Sequence, residues 1–241
     1  MILNIKHYVS YNMGELFKKG HLAVGILAGL GPALIMVYFI LEGNTSFGIK
    51  HVSNFYCMLG MLAAVLHPLY FVNRDYSSKT ISLINNSKQN RKNYVLANIY
   101  ISLLVSFLYA TVGLLMILAA SHLGVPGDLT VPFLLGFFTN VFLLVLTYFL
   151  FVYVLILHGI RSAAVYVILT ASLLFVHNIL SNVVIGTDNK FLSSLIENFP
   201  GYFYPVMVGS NPLSPLQYFI GILSLLILFA LVLSKSRKIE I

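Results

Sequence analysis

The sequence predicts an all-α integral membrane protein with six transmembrane helices, and three observations carry that reading. Apolar residues make up 59% of the 241 and charged residues only 9%, where a soluble domain is roughly 25% charged. The charges leave six long stretches free, at 20–41, 51–73, 93–127, 129–160, 162–187 and 198–234. Each holds the about 20 apolar residues that one membrane-crossing helix requires. The basic residues also divide unevenly between the two sides that six crossings define. One side carries Lys6, Lys18, Lys19, Arg74, Lys79, Lys88, Arg91, Lys92, Arg161, Lys235, Arg237 and Lys238, and the other only Lys50 and Lys190. By the positive-inside rule both termini are expected in the cytoplasm, in a multi-pass protein of the cell membrane.

The elements follow in order. In residues 1–20, Ile2, Ile5, Val9, Met13 and Phe17 recur at helical spacing among Lys6, Lys18 and Lys19. The periodicity favours an amphipathic helix lying in the membrane interface over a plain basic leader. It does not read as a secretory signal, because the apolar run after Lys19 has the length of a full span. The spans are expected at about 22–41, 52–72, 94–120, 132–158, 163–184 and 216–234. The last begins late because Pro200, Gly201, Pro205, Gly209, Pro212 and Pro215 interrupt its stretch. Pro32 and Pro68 are expected to kink spans one and two. Gly25 with Gly29, and Gly60 with Ala64, have the small-xxx-small spacing that lets helices approach closely, within one bundle or between two subunits. In the outer loop 185–215, Phe191, Leu192, Leu195, Ile196 and Phe199 mark the stripe of a short surface helix. Tyr202, Phe203 and Tyr204 follow it. With no Trp in the chain, tyrosine is left to supply the interfacial aromatic belt.

Composition also limits the chemistry. One cysteine, Cys57, excludes an intrachain disulfide framework. No glycine is followed by lysine, so the chain has no G-x-x-x-x-G-K-[ST] phosphate loop. Neither H-E-x-x-H nor G-x-S-x-G occurs. No Asp, Glu, Lys or Arg falls inside a predicted span, which lowers the expectation of a proton- or ion-coupled transporter. His67, Asn140, His177 and Asn178 stand out among the polar side chains within the spans. They either line a path for cargo or hydrogen-bond between helices, and the second is favoured because an unpaired polar group in lipid is costly. No metal site is expected, nor binding of nucleic acid, since the basic residues serve topology.

The segment between spans two and three, 73–93, carries the clearest motif. It reads Arg74-Asp75-Tyr76-Ser77-Ser78-Lys79-Thr80-Ile81, then Leu83 and Ile84, with Arg91 and Tyr94 beyond. Asp75, Ser77 and Ser78 are candidate caps for a short helix running to about residue 85. Tyr76, Thr80, Leu83 and Ile84 would share one face of it. Such a helix suits docking into a groove of a cytoplasmic protein. A basic loop on anionic lipid is the plainer alternative.

This segment resembles the loop of ABC-2-type permeases, in which an acidic residue, a few polar residues and a Gly-Thr-Ile-like triplet precede an arginine before the third span. Lys79 stands where that family often has glycine, and Asn98 where it often has lysine. The six-span layout, the amphipathic leader and the reentrant-looking segment before span six are similar as well. The resemblance covers nearly the whole chain in layout and about 25 residues in motif. Small permeases of this size resemble those serving peptide export and lantibiotic immunity. The resemblance implies a separate cytoplasmic ATPase that holds ATP and Mg, a second permease subunit, identical or paralogous, and an amphipathic cargo, with a peptide expected. It implies that residues 75–84 transmit ATPase closure to the spans. Two other classes stay open: an energy-independent immunity or binding protein, and an integral-membrane enzyme built on His67, His177, Asn140 and Asn178.

Overall fold

The structure, a computed structural model, describes residues 2–43, 45–84, 86–160 and 163–238, without the side chains of Leu83, Arg237 and Lys238. Arg161 lies outside the described residues. Every regular element among them is helical. Six helices are long and apolar enough to cross a membrane.

Helix α1, Ile5–Lys18, is capped by Asn4, whose side chain accepts from the His7 amide. Gly20, at φ +72°, makes the left-handed turn into α2, His21–Leu41. Helix α3, Ile49–Ser77, runs one and a half turns past the expected end at residue 72. Its final turn carries Asn73, Arg74, Asp75, Tyr76 and Ser77, so these residues are not loop. Helix α4, Thr80–Ile84, is short. Helix α5, Lys88–His122, is capped by the Ser87 hydroxyl and starts six residues before the expected 94. The connection expected at 73–93 is thereby reduced to 78–87, because polar residues with good caps extend helices beyond the apolar stretch that a span requires. At 1.5 Å per residue α5 is about 52 Å long, well beyond the ~30 Å hydrocarbon core.

Helix α6, Val131–Leu157, starts from Thr130 with Pro132 in its first turn. The fifth apolar helix is built as α7, Ala163–Ala171, a π-helical segment Ser172–Val176, and α8, His177–Gly186. The 187–214 connection holds two helices where one was expected. Helix α9, Lys190–Glu197, is capped by Asn189. Helix α10, Pro200–Met207, has Pro200 in its first turn, so the proline starts a helix instead of excluding one. Tyr204, expected in an aromatic belt, is fully buried beside Phe203, because α10 turns both into the bundle. Helix α11, Pro215–Lys238, opens on a reciprocal box in which the Ser214 amide donates to Gln217 Oε1 and the Gln217 amide to Ser214 Oγ.

Helices α3 and α6 form the centre, with 61% and 67% of their most apolar windows buried, against 11% for α11. The small-residue pairs are used within the chain. Gly25 and Gly29 of α2 face α3, where a side chain on Gly29 would meet the Cα of Gly60 at 3.0 Å. Ala64, one turn on, is fully buried. Both prolines lie inside continuous helices, Pro32 in α2 and Pro68 in α3. At the end away from α1, the bundle is tied by polar contacts. The Ile49 amide donates to Pro126 O at 2.9 Å, Ser53 Oγ donates to Gly209 O, and Lys50 Nζ donates to Asn211 Oδ1 at 2.9 Å.

Candidate functional site

The 78–87 connection is shaped by one backbone reversal. Helix α3 stops where the Ser78 amide and hydroxyl both reach Arg74 O, at 2.9 and 2.8 Å. Lys79 then adopts φ +57°, the left-handed conformation that an L side chain disfavours. Helix α4 starts directly after it, with Ser78 and Thr80 sharing a hydroxyl hydrogen bond at 2.8 Å and Ser82 Oγ donating to Lys79 O at 2.7 Å. The reversal separates Tyr76 from α4, so Tyr76 does not share a face with Thr80 and Ile84 as expected. Asp75 and Ser77 belong to α3 and do not cap α4. Leu83, expected on the same face, has its side chain outside the described residues.

The segment has an inner and an outer side. Tyr76 and Ile81 are buried, whereas Ser77, Ser78, Lys79, Thr80 and Ser82 are exposed. Ile84 lies at the edge of a cleft of about 460 Å³ that Ile2, Leu3, His7, Tyr8 and Tyr11 of the N-terminal segment also line. Arg91 is in the first turn of α5 and half-buried.

Asp75 sits behind this loop, only 2% exposed. Its Oδ2 accepts from Tyr8 Oη at 2.5 Å and from Tyr94 Oη at 3.1 Å, and its Oδ1 from Arg74 Nε at 3.0 Å. Arg74 in turn donates to Glu15 Oε2 at 2.7 Å and to Asn12 Oδ1 at 3.1 Å. Its guanidinium lies 5.1 Å from the centre of the Phe71 ring. Three helices, α1, α3 and α5, therefore meet on one carboxylate. Burial pushes the Tyr8 phenol well above its ordinary range, and the Asp75 charge adds to the shift. For Glu15, burial pulls upward, but the hydrogen bond from Lys19 and the charge of Arg74 outweigh it and the net shift is downward. Nearer the N-terminus, the Leu3 amide donates to Asn90 Oδ1 at 2.7 Å and Asn93 Nδ2 donates to Leu3 O at 2.9 Å.

The four polar residues singled out within the spans do not form one constellation. His67 Nε2 meets Tyr109 Oη at 2.9 Å, joining α3 to α5 beside Gly25 of α2. Asn140 Nδ2 donates to Asn211 O at 3.0 Å and its Oδ1 accepts from Tyr218 Oη at 3.2 Å, tying α6 to the start of α11. His177 and Asn178 line a separate cleft of about 380 Å³ between α3, α8 and α10, with Asn54 and Ser181. Asn178 Nδ2 returns to Leu174 O one turn back. His67 and Asn140 thus make interhelical bonds, and an enzyme site uniting these residues is not assembled.

The chain matches no protein-family model and no curated protein.

Sequence reasoning placed the apolar stripe of α1 but overlooked the polar one. Tyr8, Asn12 and Glu15 recur at i, i+4 and i+7 and face the bundle with Leu16, while Ile2 and Phe17 of the apolar stripe are 70% and 58% exposed. Val9 and Met13 lie between, packed against the core. The signal was present in that second periodicity, beside the first on the helix surface.

Proposed function

We propose that this chain is the membrane-spanning permease subunit of an ABC-2-type transporter. It exports an amphipathic or hydrophobic substrate, a peptide by expectation. A separate cytoplasmic ATPase holds ATP and Mg and supplies the hydrolysis, and a second permease subunit completes the path. Both termini and the 78–87 loop face the cytoplasm.

The observation that carries this reading is the two-sided loop between the second and third apolar helices. Its outer side, Ser77–Thr80 and Ser82, is exposed and polar, while Tyr76 and Ile81 fix it from within. A docking element has to combine an accessible face with a rigid backing, because a push on a floppy segment is absorbed locally. Here the backing continues through Asp75 to Tyr94 of α5 and Tyr8 of α1. Force applied at Thr80 therefore reaches three helices.

The test is isolation of the tagged chain from its native membrane in mild detergent, with mass spectrometry of the complex. Stoichiometric recovery of a soluble protein bearing a nucleotide-binding loop supports the reading. An intact, active sample without one favours the energy-independent immunity or binding protein.

A further inference from the structure

We infer that α1 is an ion-latched strap that positions the 78–87 loop, with Arg74 as the latch and Glu15 as its catch. The strap bears on the same loop as the transport reading, but its test reads structure alone and does not depend on that reading.

Arg74 is the last basic residue before the loop and stands at a junction of two elements. One edge of its guanidinium holds Asp75 on its own helix at 3.0 Å, and the other holds Glu15 and Asn12 of α1 at 2.7 and 3.1 Å. The Arg74 carbonyl is also the acceptor that ends α3, taking both the amide and the hydroxyl of Ser78. The residue that grips α1 with its side chain thus sets, with its backbone, where the loop departs. Glu15 has a side chain only 12% exposed, and Asp75 only 4%. The Arg74 side chain is 31% exposed, so the pair is partly shielded and is screened less than one on an open surface. Removing either partner leaves the other with only its local charge partner, Asp75 for Arg74 and Lys19 for Glu15, so the charge pairing between α1 and α3 is lost.

The rest of α1 shows what the latch adds. Ile2, just ahead of the helix, and Phe17 within it are exposed and not held by the bundle. Its inward face mixes polar Tyr8, Asn12 and Glu15 with apolar Leu16, Val9 and Met13. Apolar packing of Leu16, Val9 and Met13 holds the helix against the bundle, and the directional bonds fix its position on α3. Two of those bonds, Tyr8 to Asp75 and Glu15 to Arg74, end on adjacent residues of α3.

Amide hydrogen exchange tests this on the full chain in lipid nanodiscs. Glu15→Arg and Arg74→Glu are each expected to raise exchange roughly tenfold or more across residues 5–18 and, in step, across 78–87. The double variant Glu15→Arg with Arg74→Glu restores opposite charge between α1 and α3, since the new guanidinium on α1 then faces two carboxylates on α3, and is expected to recover most of the protection. A structural role without charge pairing would show no such rescue. Three outcomes overturn the inference: single variants as protected as the parent, a double variant as exposed as the singles, or α1 released while 78–87 is unchanged.

Discussion

Gly29 of α2 and Gly60 of α3 touch backbone to backbone, but their contact is not symmetric. A Cβ on Gly29 would fall 3.0 Å from Gly60 Cα, whereas a Cβ on Gly60 would find its nearest neighbour, Gly29 Cα, at 3.5 Å. The first is an overlap with backbone that cannot swing aside, and the second is ordinary contact. Gly29→Ala should therefore destabilise the bundle by about 1–3 kcal/mol, while Gly60→Ala should be near neutral. Cys57, the one cysteine and buried, provides the measurement: a thiol-reactive dye reports unfolding temperature in detergent.

The His67–Tyr109 bond gives a second prediction. His67→Leu and Tyr109→Phe should each cost about 0.6–2 kcal/mol, the range for interhelical bonds in membranes. The double variant should cost less than the sum of the two, because either change alone already breaks the 2.9 Å contact. Additive costs in the same dye assay would show that the two side chains act independently.

Lys79 gives a third. At φ +57° it carries the cost of a left-handed side-chain-bearing residue, about 1–2 kcal/mol, part of which glycine recovers. Lys79→Gly should lower proteolytic cleavage within 78–87 severalfold, and Lys79→Val should raise it. The same cleavage rate in all three proteins would count against the backbone argument.

Acid should loosen α1. Against the upward pull of burial, Lys19 and Arg74 hold the Glu15 carboxyl below its ordinary value in the folded chain. Its contribution to docking is then fully present above about pH 4.3, the ordinary glutamate value, and is lost as pH falls through the lower folded value. Protease susceptibility of α1 should therefore rise below about pH 4, and Glu15→Gln should remove that dependence while being more susceptible at neutral pH.

Much of this molecule was legible before its structure. Charge-free stretches located all six long helices, because lipid excludes ionised groups so strongly that their absence is a reliable marker. Ends were read less well: α3 continues to Ser77 and α5 begins at Lys88, since outside the apolar core caps decide where a helix stops. Helix α10 escapes any reading in which proline only breaks helices, because Pro200 in a first turn favours one. At the end of α3, Asp75 was visible as a residue of interest, but its partners Tyr8 and Tyr94 are 67 and 19 residues away. No local periodicity announces such a meeting. Lys79 illustrates the same limit, because nothing in its side chain signals the positive φ that splits Tyr76 from Thr80.

The most direct test of the central claim places a photo-crosslinking amino acid at Thr80, on the exposed side of the loop, and compares it with one at Ser181, in the cleft at the opposite end of the bundle. The account predicts that Thr80, and not Ser181, is joined in native membranes to a protein that mass spectrometry identifies as bearing a nucleotide-binding loop, and that the yield changes when ATP is depleted. An active protein whose Thr80 crosslinks only to lipid, or to no nucleotide-binding partner, would contradict it.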